Sequence, residues 1–94
     1  MLNADTCPTP LYFFDVHDVQ LSTHDHEGTE CPDRAAVSTE ALKALCQIAE
    51  GHPERYAGQH LNVVVRNAAN RAVLTATLNL LTSWHPKDAQ EDAA

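Results

Sequence analysis

The stretch "HLNVVVRNAANRAVLTATLNL", His60 to Leu80, decides the fold. Leu61, Val63 and Val65 alternate with Asn62, Val64 and Arg66, the period of two that a half-buried strand requires. After "NAAN", Leu74, Ala76, Leu78 and Leu80 alternate with Val73, Thr75, Thr77 and Asn79 in the same way. Strands this close in sequence pair antiparallel, and Asn in the connection tolerates left-handed backbone. The chain therefore ends in a hairpin with one apolar face, which needs a second layer to cover it.

The segment just upstream supplies that layer. In "RAAVSTEALKALCQIAE", Arg34 to Glu50, the apolar residues Val37, Ala41, Ala44, Leu45 and Ile48 share one face of an α-helix. Leu42, Cys46 and Ala49 widen the stripe, so the helix is expected to lie flat on a broad surface with Cys46 buried. Pro32 and Asp33 mark its start, with Asp33 as N-cap, and Gly51 and Pro53 its end. "HPERYAGQ" is a connection with room for one helical turn.

Further back, "LYFFDVH", Leu11 to His17, reads as a strand rich in aromatic and β-branched residues. Tyr12, Phe14 and Val16 face the core, and Phe13, Asp15 and His17 the other side. "DVQ" turns the chain and "LSTHD" forms a second, weaker strand, after which Gly28 permits a positive φ. The predicted fold is α+β in two layers, β-β-α-β-β, with one helix packed on a four-stranded antiparallel sheet. Residues 1–10 are expected to form a flexible arm and residues 11–80 the single domain. Residues 81–94 are expected to be a frayed tail in which Trp84 folds back over the core edge. Phe13, Val64 and Val73 make the outer sheet face more apolar than solvent alone selects, which points to a homodimer through that face or a sheet edge.

Composition narrows the function classes. The chain has 94 residues, 44% of them hydrophobic, and a formal charge of −7. Six acids and no base fall between Asp15 and Asp33, and no basic patch exists to hold phosphates. Binding of nucleic acid or anionic lipid is therefore not expected. No apolar run spans a membrane, and the first ten residues lack the pattern of a secretory signal, so a cytoplasmic protein is expected. Cys7, Cys31 and Cys46 are odd in number and lack CxxC spacing, which reads as free thiols.

"YFFD" (Tyr12–Asp15), followed by Asp25, Gly28, Glu30, Pro32 and Asp33 and then by Ala35 and Ala36 in a helix, resembles an uncharacterised family of short bacterial proteins. The pattern covers about residues 11–80 and implies no activity. Cys31 departs from it where Leu or Phe is usual, and "NAAN" where an Asp/Gly turn is usual. A second, fold-level likeness is to the small antitoxin domain of Hic-type toxin–antitoxin pairs, through "TEAL", Thr39 to Leu42. That likeness implies an antitoxin-like partner of a small basic protein.

The chemistry-bearing residues concentrate in "HDVQLSTHDHEGTECPD", His17 to Asp33. His24 and His26 share a strand face, and pairing Phe13 with His24 and Asp15 with Ser22 would bring both to Asp15. Two imidazoles and a carboxylate could hold Zn²⁺ or Ni²⁺. Catalysis by Cys31 with His24 or His26, or by Ser22 with His24 and Asp15, would need a pocket of ~300 Å³ or more, more than so small a two-layer domain is expected to enclose. No enzyme activity and no resident cofactor are therefore expected. Asp18, Asp25, Glu27 and Glu30 are candidate contacts for a basic protein partner, whereas Tyr12, Phe14, Gly28, Pro32 and Asp33 have architectural roles in core, bend and helix cap.

Overall fold

The computed structural model describes residues 9–86. The chain runs β1 (Leu11–His17), β2 (Ser22–Thr23), β3 (Thr29–Glu30), α1 (Arg34–Gly51), α2 (Pro53–Tyr56), β4 (His60–Arg66) and β5 (Ala72–Asn79). The α+β, two-layer reading holds, with one more strand than expected. The open antiparallel sheet has the order β2-β1-β4-β5, and β3 pairs with the far end of β1. The expected N-terminal arm (apart from Thr9 and Pro10), Cys7 and the end of the tail from residue 87 lie outside the described residues.

The faces of β1, β4 and β5 fall as the alternation predicts, apart from the bulge at Val73. Leu61, Val63 and Val65 are fully buried, and Tyr12, Phe14, Val16, Leu74, Ala76, Leu78 and Leu80 pack around them. α1 covers β4 and β5 with Val37, Ala41, Leu45 and Ala49, residues spaced by four along one helix row. That narrow row changes the fate of the cysteines. Cys46 and Leu42 sit about a quarter-turn off it and are exposed, whereas Cys31 is buried in the core. The thiols of Cys31 and Cys46 are free.

Local chemistry sets the element ends. The Asp33 carboxylate accepts the Ala36 N–H at 2.8 Å, capping α1, which contributes about 1 kcal/mol. In the β4–β5 connection Asn70 adopts φ +65°, and the Asn67 side chain accepts the N–H groups of Ala69 and Arg71. The buried Tyr56, on α2, donates its hydroxyl to Asp18 in the β1–β2 turn at 3.2 Å. Trp84 does not cap the core edge as expected; it is 76% exposed. Among the described residues no helix is long and apolar enough to cross a membrane.

Candidate functional site: a pinned acidic loop and an open sheet edge

The expected strand 21–25 is split in two. Val16 faces Thr23 and His17 faces Ser22, whereas Tyr12 faces Thr29 and Leu11 faces Glu30. Residues 24–28 therefore bulge opposite only Phe13, Phe14 and Asp15. The ladder lies two residues from the predicted register, so His24 rather than Ser22 comes to Asp15. Parity of the faces is unchanged by an even shift.

Side chains replace the missing ladder. The Asp25 carboxylate accepts the Phe14 N–H at 2.9 Å through one oxygen, and the Glu27 and Gly28 N–H groups at 3.0 and 3.1 Å through the other. The Asp25 N–H donates to Asp15 at 2.9 Å. From β4, Arg66 closes the network: Nε and Nη2 donate to the two Asp15 oxygens at 2.7 and 3.0 Å, and Nη2 also donates to the Asp25 carbonyl at 2.9 Å. Its Nη1 reaches Asn70, and the guanidinium lies over the Phe13 ring.

This arrangement governs ionisation. The Arg66 hydrogen bonds hold the Asp15 carboxyl below its ordinary value of 3.8, against an opposing contribution from burial. Burial pushes Asp25 upward, but its three N–H donors outweigh that and leave it lowered. Asp18 is lowered by the Gln20 and Leu21 N–H groups, which its side chain accepts in the turn.

Of the expected metal set, His24 approaches Asp15 and His26 approaches His24. His24 Nδ1 is 3.5 Å from Asp15, and the His24 and His26 rings meet edge to face at 4.9 Å between centroids. Both Asp15 oxygens already receive Arg66, so a cation there would compete with a guanidinium. Among the described residues no three His, Cys, Asp or Glu side chains are grouped to hold a metal ion. Ser22 shares a 2.8 Å hydrogen bond with His17, not His24, on the exposed surface. Burial raises the Cys31 thiol, with the Glu40 and Asp33 charges adding to the effect, which disfavours the nucleophilic thiolate. Of the candidate partner contacts, Asp18 and Asp25 direct their carboxylates inward, while Glu27 and Glu30 are exposed. Tyr12 and Phe14 pack on the core and Gly28 makes the bend, while Pro32 is exposed ahead of the capping Asp33.

Two further features lie on the helix side of the sheet, where β1 begins and β4 ends. A cavity of about 340 Å³ opens there, larger than a domain of this size was expected to hold. Tyr12, Arg34, Val37, Asn67, Val73 and Leu74 line it. Val65 pairs with Leu74 but Arg66 with Ala72, so Val73 is an unpaired bulge residue at the rim. Among the described residues no strand pairs with the outer side of β5, which forms an open edge.

The model of a domain of unknown function, DUF6894, matches residues 11–79. The chain belongs to the DUF6894 family. The match runs from the first residue of β1 to the last of β5, so the DUF6894 domain is the whole described sheet with its helix layer. No curated protein and no solved structure matches the chain. For DUF6894 the family assignment fixes no activity.

Proposed function

We propose that this domain is a non-enzymatic protein-interaction module that pairs with a second copy through β5. One observation carries the reading: β5 is an eight-residue open edge without a single charge or proline. Free edges are normally blunted by charge, proline or short length, because their unpaired N–H and C=O groups recruit other strands. Antiparallel pairing about Ala76 would set Leu74 against Leu78, Thr75 against Thr77 and Val73 against Asn79 of the second copy. Leu74 and Leu78 then meet on the helix side and Thr75 and Thr77 on the other, which keeps both helices on one face. Pairing at the opposite edge would instead juxtapose the acids of the 18–30 region in a chain of charge −7. Sedimentation is expected to give twice the 10.3 kDa chain mass at high concentration. Thr75→Lys with Thr77→Lys, both exposed, should return the folded monomer by placing lysines opposite one another. A monomer persisting to about 1 mM, the weak limit of specific association, would remove the reading.

The acidic loop supports a second contact, with a basic protein. Glu27 and Glu30 are exposed, and Arg66, the cation within the loop network, is turned inward onto Asp15. A lysine-rich peptide is expected to shift the amide resonances of residues 24–33 and to lose that effect in Glu27→Gln with Glu30→Gln. Shifts spread evenly over the surface, or retained in the variant, would count against a defined contact.

A further inference from the structure

We infer that the cavity at the start of β5 receives the Leu81–Trp84 segment of a second copy of this chain. The inference rests on the β5 pairing proposed above and adds a side-chain anchor to it. Leu81 and Trp84 are the most exposed large apolar residues among those described, at 77% and 76%. They directly follow the open edge. In the pairing about Ala76, Asn79 of one copy lies beside Val73 of the other, and Leu81 beside Arg71. Three more residues of extended chain, about 10 Å, carry Trp84 along the Asn67–Arg71 turn. That turn contributes Asn67 to the cavity wall, and Val73 forms its rim.

The cavity suits an indole. Val37, Val73 and Leu74 supply apolar walls, while Tyr12, Arg34 and Asn67 supply polar or cationic groups at the lining. A tryptophan face accepts a guanidinium, and Arg34 supplies one at the lining. The segment between Asn79 and Trp84 carries no charge, so it adds no repulsion as two chains of −7 approach. Two-fold symmetry makes the contact reciprocal, with each copy filling the other's cavity.

Trp84 is the chain's sole tryptophan, so the tryptophan emission comes from this residue alone. Emission and sedimentation mass should be followed together from about 1 μM to about 1 mM. The expected result is a shift to shorter wavelength that tracks dimer formation. Trp84→Ala should weaken self-association about 30-fold, with Trp84→Phe recovering part of the loss and monomer stability unaltered. A dimer whose Trp84 emission stays that of an exposed indole, and whose dissociation constant ignores Trp84→Ala, overturns this contact but leaves the β5 pairing standing. A monomer at every concentration overturns both. A short-wavelength emission independent of mass places Trp84 in its own chain and overturns the contact.

Discussion

Arg66→Met is expected to lower the thermal midpoint at pH 7 by about 10–20 °C, the response to a carboxylate stripped of its partner in a small domain. Asp15 is 7% exposed and relies on Arg66 for two of its hydrogen bonds. The same guanidinium satisfies the Asp25 carbonyl and reaches Asn70, so β1, the 24–28 loop and the β4–β5 turn all lose an anchor. Methionine keeps much of the apolar stem over Phe13, which confines the loss to the polar network. Asp15→Asn with Arg66→Met should recover a large part of it, because an amide oxygen can still accept the Asp25 N–H without leaving a charge unpaired.

Acid should act on the same cluster. Asp15 and Asp25 have folded values below 3.8, so the unfolded chain binds protons first as pH falls. Their stabilisation is therefore present above that pH and is lost as pH drops through the lowered values. In Arg66→Met the charge on Asp15 becomes unfavourable, and its protonation removes the penalty. The gap between parent and variant should accordingly narrow from pH 7 towards pH 3, measured as urea midpoints. A gap independent of pH, or a thermal loss under about 2 °C, would show that Arg66 contributes only as surface charge.

The sheet faces were readable because each core strand alternates cleanly, and Leu61, Val63 and Val65 went where period two sends them. The Asp15–Arg66 pair was not readable because its members are 51 residues apart and no local pattern joins them. A signal was nonetheless present. Asp15 stands between aromatic and β-branched residues on a strand, and Arg66 is the one lysine or arginine within any described strand. A carboxylate in such surroundings requires a cation, and only one candidate has the right parity. The split of the second strand was hidden for another reason. Register arguments assume a continuous backbone ladder, whereas here the Asp25 side chain takes the place of backbone acceptors between Thr23 and Thr29. Likewise, the helix stripe looked broad by composition, but contact with β4 and β5 uses the Val37–Ala49 row, leaving Leu42 and Cys46 outside.

Gly28→Ala should destabilise the domain by about 3–4 kcal/mol, from left-handed strain and steric conflict together. Gly28 has φ +78°, which costs a residue with a Cβ roughly 1–2 kcal/mol. A Cβ there would also meet Leu11 Cγ at 2.9 Å, Phe13 Cε2 at 3.0 Å and the Tyr12 carbonyl oxygen at 3.1 Å. The carbonyl belongs to a paired strand and cannot retreat without breaking the β1–β3 ladder. Moving Gly28 instead would pull its N–H from the Asp25 carboxylate and loosen the whole bulge. Gly58 separates the two contributions, since its φ of +76° is nearly the same but nothing lies within 4 Å of its would-be Cβ. Gly58→Ala should therefore show the backbone strain alone, about 1–2 kcal/mol by urea denaturation. Equal losses in the two variants would mean that the loop yields to the added methyl. A larger loss at Gly28 locates the rigidity of the acidic loop in its contact with β1.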